Sequence, residues 1–274
     1  MSAGRPRTRN GCRRAGRWGP GAVYPCARVQ TDDADGRGPG TGSPGALAFR
    51  GIPRCRYRVD AARPVRHVCA ARCGVRCCRE PVAAVLDGLA LPPVTAVGHS
   101  SGGYVATALA EQRPDLVGSL ALISSGPSPD ALLPQPVVLR ALMAPPLGPL
   151  LRPIRSDTML RKGMSAVCNR PVEIPDDLVA EVRGIDYRTF RTVLRRNTAY
   201  IAERSVPERL AALDVPVLVI FGAADHRWDP SSVHHYDTVA TPRVEQLPDV
   251  GHLPMFEAPE TTGESLLAFA VAGR

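Results

Sequence analysis

A short apolar run, Val94-Thr95-Ala96-Val97, leads without a break into Gly98-His99-Ser100-Ser101-Gly102-Gly103 and then into an Ala-rich stretch that reaches Ala110. An apolar, β-rich run of this length suits a central parallel strand buried on both faces. The glycine-flanked turn and the helix formers after it complete a strand, tight turn and helix. A chain built on that unit is expected to fold as an α/β protein with a mostly parallel sheet and helices on its faces. The flanking sequence agrees. Pro81 suits a first helical position, and Val82, Val85, Leu86 and Leu89 fall on one helical face before Leu91-Pro92-Pro93 ends the run. Leu116 to Ile123 and Val215 to Phe221 read as further buried strands, and Val244 to Leu247 as the last one. Leu266, Phe269 and Ala270 share the face of a terminal helix.

Between the second and third of these strands, residues 127–206 are rich in proline and then helical in pattern. This segment is expected to form a helical lid over the strand ends, with 81–126 and 207–274 as the α/β core. Leu132, Leu133, Leu139, Leu142 and Met143 are expected in the lid's own core.

Residues 1–80 have a different character. The chain of 274 residues carries 34 basic and 26 acidic residues, a net charge of +8. Seventeen arginines and only five acids lie before residue 81, so the remainder is mildly acidic. Cysteine is divided the same way, with Cys12, Cys26, Cys55, Cys69, Cys73, Cys77 and Cys78 early and only Cys168 late. No period of 2 or 3.6 is sustained there, and Tyr57 to Asp60 is the one candidate strand stub. Three readings stand side by side: a wrong-frame or misassigned translation, a disordered basic arm for nucleic acid or another polyanion, and a metal site at His67, Cys69, Cys73, Cys77 and Cys78. Against the arm, aromatic residues are sparse: Trp18, Tyr24, Phe49 and Tyr57. Against the metal, no C-x₂-C pair has a distant partner pair.

The chemistry gathers around Ser100. A nucleophilic serine must stand clear of the backbone, and a sharp strand-to-helix turn achieves this. Gly98 and Gly102 are expected where a side chain would collide with the neighbouring strand or helix. The turn also aims the next helix N-terminus, with the Ser101 N–H, at negative charge developing on a substrate oxygen. A base and its orienting acid are expected in the order Ser, Asp, His, each after a strand. Asp225, in Gly222-Ala223-Ala224-Asp225, follows the third strand, and His252, in Asp249-Val250-Gly251-His252, follows the fourth. Asp229 competes with Asp225 but lies four residues further on. His99 is expected to pack near the turn, His234 and His235 to point apart, and Trp228 to line the pocket or cover the loop.

Gly98-His99-Ser100-Ser101-Gly102-Gly103, Phe221 to Asp225, and Gly251-His252-Leu253-Pro254-Met255-Phe256-Glu257 together resemble the α/β-hydrolase superfamily over about residues 81–274. The likeness is in style to its serine-nucleophile, lid-bearing esterase, lactonase and C–C hydrolase branches. It implies acyl transfer to Ser100, with His252 as base and Asp225 as orienting acid. It also implies a second oxyanion donor from a loop after an earlier strand. The His-Gly that marks that loop is absent: the only histidine before His99 is His67, followed by Val68.

The expected function is therefore a serine hydrolase acting on a carboxylic ester or related small acyl substrate. Two alternatives stand beside it: a catalytically impaired product lacking the early strands and oxyanion loop, and a polyanion binder acting through the arginine-rich segment. No cofactor or metal is expected, nor is nucleic acid a partner under the leading reading. No run approaches the ~20 apolar residues of a membrane span, and no apolar secretory core precedes the arginines. The chain is expected to be soluble and cytoplasmic, without a membrane partner.

Overall fold

The computed structural model describes residues 75–135, 144–151, 155–240 and 242–272. The strand stub at 57–60, the thiol cluster from Cys69 to Cys78, and Leu139, Leu142 and Met143 lie outside the residues or side chains so described.

Among the described residues four strands form one parallel sheet in the order β1 (Val94–His99), β2 (Val117–Ile123), β3 (Val217–Gly222) and β4 (Pro242–Leu247). In the two central strands alternate residues enter separate apolar clusters. Leu120, Leu122, Val217, Val219 and Phe221 belong to one, and Ala121, Ile123, Leu218 and Ile220 to the other. A period of two with both faces apolar is what a strand covered on both sides requires, and it explains why these runs showed no alternation in the sequence.

One face is covered by α1 (Val75–Leu89) and α2 (Ser101–Gln112). Helix α1 begins six residues before the expected start, so Pro81 lies within it rather than at its first turn. An interior proline removes one backbone hydrogen bond and costs about 3 kcal/mol in an isolated helix. Here α1 packs along α2, with Val75 and Leu86 buried in the core, and that tertiary burial overrides the local preference. Ala90, with φ of 49°, turns the chain out of the helix.

Between β2 and β3 the described residues hold five α-helices: α3 (Leu147–Leu151), α4 (Asp157–Ser165), α5 (Asp176–Gly184), α6 (Tyr187–Glu203) and, nearest β3, α7 (Val206–Leu210). Leu160, Ile174 and Val179 make a small separate core between α4 and α5. Helix α6 is capped by Asp186, which accepts from the Thr189 N–H at 2.9 Å. Its far end is tied to the sheet-side helices. Arg209, in α7 (Val206–Leu210), is buried and pairs with Glu111 of α2 at 3.1 Å. Its guanidinium lies 3.9 Å from the centre of the Tyr200 ring, and the Tyr200 hydroxyl donates to Glu111. The chain closes with a 3-10 segment (Pro230–Thr238) before β4, then α8 (Pro254–Glu257) and α9 (Pro259–Ala272). Phe269 of α9 packs on the second face of the sheet. Among the described residues no helix is long and apolar enough to cross a membrane.

Candidate active site

The carboxyl ends of β1, β3 and β4 each deliver one polar side chain to the same place, as expected where loops leave a parallel sheet. Ser100 occupies the turn between β1 and α2 with φ of 50° and ψ of −118°. A non-glycine residue held in such a region marks a backbone fixed by its surroundings. The surroundings are explicit. The Ser100 N–H donates to Ile123 O at 2.8 Å, and the Ser125 hydroxyl donates to Ser100 O at 3.0 Å.

Two glycines permit this turn, but they are not the expected pair. A Cβ on Gly98 would stand 2.4 Å from Gly102 O, so only glycine fits there. At Gly102 nothing lies within 4 Å. The second constraint falls on Gly103, where a Cβ would meet the Ser125 hydroxyl at 2.0 Å, because α2 passes closest to the end of β2 one residue later. Gly103→Ala is therefore expected to cost about 1–3 kcal/mol by overpacking. Gly102→Ala should instead be neutral or stabilising by up to about 1 kcal/mol through helix propensity. Urea unfolding of the two variants distinguishes these outcomes.

His252 lies in the loop after β4. Its Nε2 stands 3.2 Å from Ser100 Oγ and its Nδ1 stands 2.8 Å from Asp225 Oδ2. Asp225 is buried, and its Oδ1 accepts from the N–H groups of Arg227 and Trp228 at 2.7 and 3.1 Å. Those bonds fix the carboxylate's orientation. Asp229 is spent elsewhere: it caps the following 3-10 segment by accepting from the Ser231 N–H. Ser101 opens α2, so its N–H is among those a helix leaves without an internal partner. No second oxyanion donor is assigned among the described residues.

The remaining residues separate clearly. Trp228 is buried against Gly126 and belongs to the core cluster, so it covers the loop. His234 and His235 are exposed, with different partners, Asp237 and Ser128. Among the described residues no three potential ligands gather to hold a metal. The thiol of Cys168 is pushed up to about 12 by burial and by the Glu257 carboxylate, which keeps it protonated.

Two groups around the site, Glu257 and Asn197, had no role assigned from the sequence, and a third, His99, stands near the turn as expected. Glu257 is buried, and its carboxylate accepts from the N–H groups of Asn169, Arg170 and Gly251 at Oε2 and of Leu253 at Oε1. One side chain thus joins the His252 loop to the segment after α4. Asn197 of α6 is also buried, and its Nδ2 donates to the Ser101 hydroxyl at 2.7 Å. His99 Nε2 lies 2.8 Å from His252 O, which identifies it as the donor in that bond. Loss of hydration, and then the neighbouring His252, hold the His99 pKa down to about 4.

His99 is thus kept neutral in the fold, while an ordinary histidine titrates at 6.5. Below that value the unfolded chain binds the extra proton more readily. The stability that neutral His99 supplies is complete above pH 6.5 and is lost as the pH falls toward about 4. His99→Asn, which cannot titrate, is expected to flatten the acid side of a urea-midpoint against pH curve in that window.

The model of the alpha/beta hydrolase family matches residues 33–264. The chain belongs to that family. The match begins within the arginine-rich segment, upstream of the Pro81 boundary at which the sequence resemblance starts. This α/β-hydrolase is 27% identical over 202 residues to a Bacillus subtilis protein provisionally named 2-succinyl-6-hydroxy-2,4-cyclohexadiene-1-carboxylate synthase, covering 69% of each chain. It is 27% identical over 180 residues to lipase 1 of Psychrobacter immobilis, covering 63% of this chain and 54% of that one. It therefore spans about half of the lipase's length. A solved 2-hydroxy-6-oxo-6-phenylhexa-2,4-dienoate hydrolase from Rhodococcus superimposes with a TM-score of 0.53 at 20% identity, over 71% of this chain and 70% of that one. That likeness concerns the fold alone. The reactions in these three names differ widely, so the family sets the scaffold and leaves the substrate to the site.

Proposed function

We propose that this α/β-hydrolase is a serine hydrolase that cleaves a carboxylic ester, or a related small acyl substrate, through an acyl-enzyme on Ser100. The observation that carries the reading is the continuous line of contacts from Ser100 Oγ to His252 Nε2 and from His252 Nδ1 to Asp225 Oδ2. In the first half-reaction His252 Nε2 takes the hydroxyl proton as Ser100 Oγ attacks the carbonyl carbon. The negative charge moves to the carbonyl oxygen, next to the Ser101 N–H at the head of α2. The bond to the leaving oxygen then breaks, and His252 passes its proton to the departing alcohol. In the second half a water gives its proton to His252, attacks the acyl carbon and releases the acid, and Ser100 recovers its proton. Asp225 holds Nδ1 protonated throughout, so that Nε2 faces Ser100 with its lone pair. The helices between β2 and β3 act in this reading as the lid, with Asn197 bringing α6 onto the residue beside the nucleophile.

A rapid-mixing experiment with p-nitrophenyl acetate tests the acyl-enzyme. A burst of p-nitrophenolate approaching one per chain, absent in Ser100→Ala, is the expected result. Hydrolysis that survives Ser100→Ala undiminished would overturn the reading.

A further inference from the structure

Helix α6 has two faces of opposite character. Asn197, Tyr200 and Ile201 are buried and turned toward the core. On the opposite side Arg188, Arg191, Thr192 and Arg195 fall at positions i, i+3, i+4 and i+7, one continuous face. The three arginines are exposed, and none has a hydrogen bond or ion pair among the described residues. They line a cleft of about 460 Å³ on the α6 surface. A second cleft shares Arg188 with it and adds Pro149, Arg155 and Arg183. Neither cleft touches Ser100, Asp225 or His252. Like charges repeated along a helix oppose folding, and Arg188 sits in the first turn, where the helix dipole disfavours a cation. The face is thus electrostatically incomplete as it stands.

Charge and apolar exposure indicate what completes it. Residues 127–206 carry twelve basic and eight acidic residues, whereas the rest of 81–274 carries five basic and thirteen acidic ones. The basic charge of the catalytic half is therefore concentrated in this insertion. The chain's own first eighty residues, with seventeen arginines and five acids, have the wrong sign to cover it. Beside the arginines, α3 leaves Leu150 67% and Leu147 43% exposed, and Pro149 between them lines the cleft that Arg155 and Arg188 share. Arginines flanked by outward-facing leucines match a surface with anionic headgroups above an apolar layer.

We propose that the arginine face of α6, with Leu147 and Leu150 of α3, docks the protein onto an anionic phospholipid surface. The expectation of no membrane partner rested on the lack of a spanning segment, and a docked surface helix needs none. The same helix reaches Ser101, the residue that follows the nucleophile, through Asn197.

The test is co-sedimentation of the full chain with vesicles of phosphatidylcholine, alone and mixed with phosphatidylglycerol, at low and high salt. It reads binding and not turnover, so its outcome is separate from that of the Ser100 experiments. The substitutions Arg188→Gln, Arg191→Gln and Arg195→Gln together keep good helix formers on an exposed face, and unchanged circular dichroism verifies folding. Three lost charges should lower partitioning onto phosphatidylglycerol vesicles about a hundredfold, at about 1 kcal/mol per arginine. Leu150→Ser should lower it further, and pure phosphatidylcholine should bind weakly throughout. Unchanged binding in the triple variant would overturn the proposal, since it would place the affinity in the arginine-rich first eighty residues. A triple-variant loss with no effect of Leu150→Ser, matched by equal loss of binding to soluble polyglutamate, would also overturn it in favour of an acidic protein partner.

Discussion

Replacing Ser100 with alanine is expected to lower kcat on an acyl ester by about 10⁴- to 10⁶-fold, leaving only what binding and oxyanion contacts supply. The size follows from the contacts on both sides of His252. With Ser100 Oγ removed, His252 Nε2 has no hydroxyl to deprotonate, although its bond from Nδ1 to Asp225 at 2.8 Å remains. His252→Ala should cost a similar factor, and the double variant should be no slower than either single one. Groups that act as a unit lose their whole effect at the first removal. Asp225→Asn should be milder but still severe, about 10⁴-fold, by stabilising the wrong imidazole tautomer. Steady-state kinetics on the four variants checks the pattern, and additive losses would show that the three residues do not work together.

Glu257→Ala is expected to be the most damaging change outside these three residues, lowering stability by about 3–5 kcal/mol. The four backbone N–H groups that converge on its carboxylate would lose their acceptor together, and each buried donor left unpaired costs about 1–3 kcal/mol before relaxation. Burial alone would raise the Glu257 pKa, but the four N–H donors outweigh it and hold the carboxyl below its ordinary value of 4.5. The stability it supplies is present above that value and is lost as the pH falls through the lower pKa of the folded state. Glu257→Ala should therefore remove part of the acid sensitivity below pH 4.5 as well as lowering stability at neutral pH. Because the same carboxylate links Gly251 and Leu253, on either side of His252, to Asn169 and Arg170, kcat should fall with stability. Urea unfolding across pH, combined with kcat at a temperature where the variant is folded, reads both effects.

The parts of the molecule legible in the sequence are those with local causes. The runs at Leu116 and Val215 are strands because a parallel sheet covered on both faces needs unbroken apolar residues, whereas those at Val94 and Val244 form the outer strands of the described sheet, with Val97 51% exposed. Gly98 is readable because a β-to-α turn around a serine leaves no room for a side chain. Asp225 and His252 are readable because they follow strands in the right order. Contacts between distant segments left no such trace. Asn197 and Ser101 are 96 residues apart in the chain, and nothing about an asparagine on an amphipathic helix announces that bond. Glu257 stood within the quoted motif, but its role depends on where the segment after α4 returns to the His252 loop. The glycine misassignment has the same origin, since whether Gly102 or Gly103 is crowded depends on how closely α2 passes Ser125. Pro81 shows tertiary packing overriding a local rule, with α1 continuing through a residue that would break an isolated helix.

Labelling with a fluorophosphonate, followed by mass measurement of the intact chain and of its peptides, tests the central claim most directly. The geometry at Ser100 predicts one adduct per chain, located on the peptide that contains Gly98-His99-Ser100, absent in Ser100→Ala and strongly slowed in His252→Ala. No adduct on the folded protein, or an adduct that persists in Ser100→Ala, would contradict it.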